Sequence, residues 1–79
     1  MNMEIRVPPI PNAGVKSSIG RWFKRTGDAV TLDEPLVEIN TDNVTHEIRA
    51  PATGVLSEIL FRDGAFIETG SLLGTISQL

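Results

Sequence analysis

The chain has 79 residues, enough for one domain at the small end of independent folding, where roughly 60% of the unfolded surface is buried; catalysis by the chain alone is not expected. With 41% hydrophobic and 22% charged residues, a net charge of −3 and no cysteine, the composition is globular, and it excludes a disordered tail, a disulfide framework, a thiolate metal site and a cysteine nucleophile. No apolar run approaches the ~18 residues of a membrane span, and the seven basic residues are scattered, so neither nucleic acid nor membrane is an expected partner.

In chain order, strand patterns run through Glu4–Val7, Ser18–Trp22, Leu36–Thr41, Val44–Ala50, Val55–Leu60 and Leu72–Ile76. The first follows directly on Met1–Met3, without the apolar stretch of a secretion signal or the Arg/Ser-rich pattern of a transit peptide, and reads as a mature or excised start. Gly27-Asp28, Asp42-Asn43, Asp63-Gly64 and Thr69-Gly70 supply the residues that tight reversals need. Five prolines and seven glycines interrupt every window in which a helical apolar period could run for three turns. The fold class is therefore all-β.

The chain repeats itself. At an offset of 37, Ile19 meets Leu56, Trp22 meets Ile59, Arg25 meets Arg62, Gly27 meets Gly64, Val30 meets Ile67, Leu36 meets Leu73 and Ile39 meets Ile76. Upstream, Ile5–Pro8 aligns with Ile48–Pro51 at an offset of 43, so the first copy carries six extra residues, in the loop-like stretch Pro9–Ser17. Neither half has strands enough for its own core. Residues 1–79 thus read as one domain, with halves of about 4–39 and 47–77 joined by a hairpin at 40–46, in which two facing antiparallel sheets share one core as a flattened barrel or sandwich.

The hairpin register follows from alternation. With Asp42-Asn43 as the central residues, Thr41 pairs with Val44, Ile39 with His46 and Val37 with Ile48 on one face, and Glu38 with Glu47 on the other; a one-residue slip would mix the faces. His46 is the single histidine, but it faces Ile39 and has no nucleophile or second histidine to work with, so it reads as a core or rim residue. Asp33, Glu34, Glu38, Glu47, Glu58 and Glu68 read as surface charge. Arg21, Lys24 and Arg25 read as a solvated turn, and Trp22, opposite Ile59 in the repeat, as a core anchor with one ring face exposed. No catalytic or metal-binding set emerges.

Further motifs carry a resemblance. Val7-Pro8, Gly20-Arg21-Trp22-Phe23-Lys24, Gly27-Asp28-Ala29-Val30, Asp33-Glu34, Glu38-Ile39, Thr41-Asp42, Val44-Thr45, Glu47-Ile48, Ala50-Pro51, Gly54-Val55-Leu56, Ile59 and Asp63-Gly64 together resemble the lipoyl domain of the acyltransferase (E2) subunit of 2-oxo acid dehydrogenase complexes. The Thr-Asp-x-Val-Thr-x-Glu pattern is most similar to the 2-oxoglutarate type, whose E2 is the dihydrolipoamide succinyltransferase of the tricarboxylic acid cycle. The resemblance implies a barrel-sandwich hybrid of two four-stranded antiparallel sheets with quasi-two-fold symmetry. It also implies a transferase assembly in which lipoate on a hairpin-tip lysine carries acyl groups from the decarboxylase (E1) to the E2 core. Its partners would be E1, the dihydrolipoamide dehydrogenase (E3) and the E2 core, in bacterial cytoplasm or mitochondrial matrix. The chain itself would be a non-enzymatic carrier domain, monomeric in isolation and excised from a longer multidomain chain. The position of the lipoyl-lysine is Asn43, flanked by Asp42 and Val44, and recognition by E1 would involve Asn12, Ala13, Gly14, Val15, Lys16, Ser17, Thr41 and Asp42.

Asn43 departs from the family at its defining residue. A carboxamide nitrogen, its lone pair delocalised, does not attack activated lipoate, so no lipoate is expected on this chain as written. Asn suits the turn itself. The exchange reads as an engineered Lys-to-Asn change, with a paralogue that has lost its carrier role as the other origin. His46 also departs, standing where the family has an aliphatic residue. A cofactor-free interaction module of the export-adaptor type fits Asn43, although those adaptors interrupt the two halves with a helical hairpin. A biotin carrier would need methionines on both sides of a tip lysine.

Overall fold

The structure, a computed structural model, describes residues 2–9, 17–41 and 44–78. These residues form eight strands: β1 (Asn2–Arg6), β2 (Ser17–Trp22), β3 (Ala29–Val30), β4 (Pro35–Thr41), β5 (Val44–Arg49), β6 (Gly54–Ile59), β7 (Phe66–Ile67) and β8 (Leu72–Gln78). Two four-stranded antiparallel sheets result, ordered β1-β8-β6-β3 and β5-β4-β2-β7. The all-β, two-sheet expectation holds. Two strands were missing from it, β3 and β7, because two residues are too short to show any alternation.

The repeat is written into the backbone. β2, β3 and β4 become β6, β7 and β8 on adding 37, and Arg6 and Arg49 close β1 and β5 at an offset of 43. Even the irregularities are copied, with a bulge between Ile19 and Arg21 matched by one between Leu56 and Glu58. So are the connecting hydrogen bonds: Gly27 N donates to Leu56 O and Leu56 N to Asp28 O, while Gly64 N donates to Ile19 O and Ile19 N to Ala65 O. These bonds run from each half to the other. Each sheet takes two strands from each half, so the halves are interleaved rather than stacked side by side.

Interleaving explains the single core. Ile19 and Leu56, Leu36 and Leu73, and Ile39 and Ile76 are each at most 1% exposed and form matched pairs of the repeat. Val7 and Ala50, matched at the offset of 43, close the same cluster. The glycine turns follow the repeat too, with positive φ at Gly27 (97°) and Gly64 (86°), and at Gly70 (86°) opposite Asp33 (69°).

Trp22 packs half-buried against this core. Its indole Nε1 donates to Phe61 O at 2.7 Å and its backbone N donates to Asp63 Oδ1 at 3.1 Å, which ties the end of β2 to the turn after β6. Trp22→Phe keeps an aromatic ring and leaves the Phe61 carbonyl without its donor. Such a loss costs about 1–2 kcal/mol, and the melting temperature should fall by roughly 4–16 °C. An unchanged thermal unfolding midpoint would show that the indole bond contributes nothing to tying the two halves.

Candidate functional site

The hairpin β4–β5 stands at one end of the domain. Its register is Thr41↔Val44, Asn40↔Thr45, Ile39↔His46, Glu38↔Glu47 and Val37↔Ile48, as the alternation predicts, with a shift between Pro35 and Val37 at its base. Thr41 is buried and Val44, opposite it, is 53% exposed, so the strands leave the core at this pair. Thr45 Oγ1 donates to Asn40 Oδ1 at 3.1 Å one rung further in, holding the two strands together on the outer face. Two residues close the turn. Asp42 and Asn43 lie outside the described residues, as do Asn12, Ala13, Gly14, Val15 and Lys16 of the long loop.

Ser17 joins that loop to the hairpin. It is buried, pairs with Thr41 on one side and with Ile67 on the other, and starts β2 directly after the loop. Ser17 is therefore fixed beside Thr41, the last described residue of β4. Of the predicted recognition residues, Ser17 and Thr41 are brought together, and both are buried, so they position this end of the domain.

Asn2 and Gln78 lie far from the Thr41–Val44 pair. Gly54 pairs with Gln78, and Asn2 with Ser77. Thr53, next to Gly54, accepts the backbone N–H of Leu32 on its Oγ1 at 2.9 Å, and Leu32 precedes the end of β4 opposite to Thr41. In a body of 36 × 19 × 17 Å, the Thr41–Val44 pair and the strand ends at Asn2 and Gln78 thus lie toward opposite ends.

Electrostatics at the hairpin are simple. Glu38 and Glu47 face each other in register on the outer surface, and neither has an ion-pair partner among the described residues. Like charges in direct opposition weaken a strand pair; here the in-register apolar face, with Val37 and Ile39 at 0% exposure, fixes the pairing. His46 is half-buried opposite Ile39 on an edge strand, the rim position expected. No group of three or more His, Cys, Asp or Glu that could hold a metal occurs among the described residues.

Glu34 departs from its reading as plain surface charge. Its carboxylate takes Lys24 Nζ at 2.8 Å and the backbone N of Thr31 at 3.0 Å. The Lys24 hydrogen bond, then that of Thr31, holds the carboxyl below its ordinary range, and the same contact raises the Lys24 ammonium above its own. This partly exposed pair pins the turn after β2 to the start of β4. Sequence reasoning missed it, since no local pattern links residues ten apart across a turn between strands.

Three comparisons with known proteins agree with this geometry. The family profile described as "biotin-requiring enzyme", that of the biotin/lipoyl domains, matches residues 3–76, and the chain belongs to that family. Among its curated relatives are the dihydrolipoyllysine-residue succinyltransferase components of the 2-oxoglutarate dehydrogenase complex. That of Bartonella vinsonii subsp. berkhoffii is 45% identical over 76 residues (96% of this chain, 18% of the relative), and that of Haemophilus influenzae is 40% identical over 77 residues (98% and 19%). The chain spans about a fifth of the length of these proteins. Among solved structures, it is similar to the solution structure of the lipoyl domain of the 2-oxoglutarate dehydrogenase complex from Azotobacter vinelandii. The TM-score is 0.79 at 36% identity, with 96% of each chain covered. What aligns with the relatives is the lipoyl type of the fold, over about a fifth of their length.

Proposed function

We propose that this chain is a carrier-type lipoyl domain of a 2-oxo acid dehydrogenase E2, of the 2-oxoglutarate class, in a form that cannot be lipoylated. The reading is carried by the β4–β5 hairpin, whose in-register strands hold a two-residue tip at the end of the domain away from both termini. A carrier needs that polarity: the attachment point faces outward, while the ends of the domain lead to the rest of the polypeptide.

Lipoate itself does not fit the residue present. Attachment requires a nucleophilic amine, and position 43 offers a carboxamide. No acyl-transfer step is therefore assigned to this chain. Its own residues supply presentation: Thr41 and Ser17 anchor the base of the tip in the core, and the Asn40–Thr45 bond keeps the strands from splaying. The partners that follow are E1, E3 and the E2 core, in the bacterial cytoplasm or mitochondrial matrix that houses such complexes. A cofactor-free interaction module of the same fold is the second reading, favoured by Asn43 alone.

Recognition by E1 should survive without the cofactor, through a small and short-lived interface suited to a domain that visits several active sites. Titrating an isotope-labelled chain with a 2-oxoglutarate decarboxylase E1 should shift the amides of Asn12–Ser17 and Thr41–Val44. Shifts centred on Asn2, Gly54 and Gln78 would put the working surface at the wrong end. Silence with every 2-oxo acid E1 would favour the interaction module.

A further inference from the structure

Asp63-Gly64 is the one place in the chain where an Asp or Asn precedes a glycine. That dipeptide has a chemistry of its own. A glycine carries no side chain to hinder its nitrogen from attacking the preceding side-chain carboxyl carbon, and the cyclic imide that results opens to isoaspartate. In the turn between β6 and β7, Ala65 N donates to Arg62 O at 3.0 Å, and Gly64 has a φ of 86° whereas Asp63 has none of the positive φ that Asp33 shows. This is a type II turn, which holds the ψ of Asp63 near about +120°.

The fold keeps the two reacting groups apart. Gly64 N donates to Ile19 O at 2.8 Å, and Asp63 Oδ1 accepts the backbone N–H of Trp22 at 3.1 Å. Both bonds reach β2, in the other half of the chain. Ring closure needs the glycine nitrogen eclipsed with Asp63 Cβ, at a ψ of about −120°, far from the value that the type II turn sets. The repeat supplies a control. Thr26-Gly27 stands at the offset of 37, and its turn has the same bonds, Gly27 N to Leu56 O at 2.7 Å and Asp28 N to Arg25 O at 3.0 Å. The turn therefore forms with a threonine in the place of Asp63, and a carboxyl group there is no requirement of the fold.

We propose that Asp63-Gly64 is a modification site locked by the fold, where isoaspartate forms only when the turn detaches from β2 and so marks chains that have opened there. In the opened turn the Gly64 nitrogen gives up its proton and bonds to Asp63 Cγ, while the hydroxyl of the protonated carboxyl leaves as water. Water then adds at the former main-chain carbonyl carbon and breaks its bond to the nitrogen. The chain now runs through Cβ and Cγ, its mass is unchanged, and nothing is oxidised or reduced. One added backbone atom displaces Gly64 N from Ile19 O, and the carboxylate, now borne directly on Cα, falls short of Trp22 N. The crossing between the halves then stays open. Because the turn is exposed, its detachment is a local event that precedes global unfolding.

The test follows isoaspartate during storage in mildly acidic buffer, in the folded chain, in the chain unfolded by urea, and in Trp22→Phe and Asp63→Thr. Isoaspartate is counted by methyl transfer from S-adenosylmethionine with an isoaspartyl carboxyl methyltransferase, and placed by failure of an endoproteinase to cut before residue 63. In urea, position 63 should isomerise ahead of every other aspartate, and folding should slow it at least about tenfold. Trp22→Phe loosens the end of β2 and should speed the folded chain at least about twofold, with unchanged β1–β8 amide shifts verifying that the variant is folded. Asp63→Thr should fold, as the Thr26 turn does, and lose most methyl uptake in urea. Equal rates in folded and unfolded chain would overturn the proposal, as would faster isomerisation at another aspartate. So would undiminished uptake by Asp63→Thr, or a folded Trp22→Phe no faster than the parent chain.

Discussion

Gly54→Ala should lower stability by about 3 kcal/mol, the upper part of the usual range for overpacking, and the melting temperature by roughly 12–24 °C. Gly54 sits in β6 between β8 and β3, and a methyl group there would overlap the carbonyl oxygen of Ser77 and press on Ile76 Cγ2. Backbone on both sides prevents retreat. A flexible side chain could swing away, but the Ser77 carbonyl belongs to the ladder that carries Gly54↔Gln78 and Val55↔Ser77. Gly27→Ala is the control, since its added Cβ meets nothing within 4 Å and only the φ of 97° opposes it; its cost should be about 1 kcal/mol. Thermal unfolding of the two variants separates clash from conformational strain. A midpoint for Gly54→Ala within a few degrees of the parent chain would mean that β6 and β8 can part without penalty.

The repeat by itself would not have led to that expectation, because its mate of Gly54 is Ser17, a residue with a Cβ. Alignment of apolar positions identifies which residues share a core; it is silent on how closely two backbones approach. The same division runs through the rest of the fold. The hairpin pairing from Val37↔Ile48 to Thr41↔Val44 was legible because alternation over several residues tolerates only one register. The core pairs were legible because each apolar residue occurs twice. β3 and β7 were not, and neither was the exchange of strands between sheets, which depends on which edge each short strand finds after its turn.

The candidate site divides in the same manner. That residues 42 and 43 form the tip follows from local pairing on either side of them, and the chemistry of position 43 follows from the residue type alone. The placement of Ser17 beside Thr41 required the β2–β4 register. The sequence put Arg25 in a basic turn with Arg21 and Lys24 and matched it with Arg62 in the repeat, whereas the structure gives each of the three a separate setting: Arg21 lies over the Phe23 ring at 4.9 Å, Lys24 pairs with Glu34, and Arg25 shares a groove with Arg62. Arg62 stands thirty-seven residues further on, and only folding makes the two neighbours.

On the function proposed above, lipoyl attachment to this domain depends on the residue at position 43. Intact mass after incubation with lipoate, ATP and a lipoate ligase tests it most directly, on the chain as written and on Asn43→Lys. No change is expected for the former, because position 43 carries no amine, and the gain of one lipoyl group for the latter, because the exchange supplies an amine between the paired Thr41 and Val44. A lipoyl group gained by the unaltered chain, at Lys16 or Lys24, would contradict dependence on position 43; an Asn43→Lys variant that stays unmodified would contradict the lipoyl assignment itself.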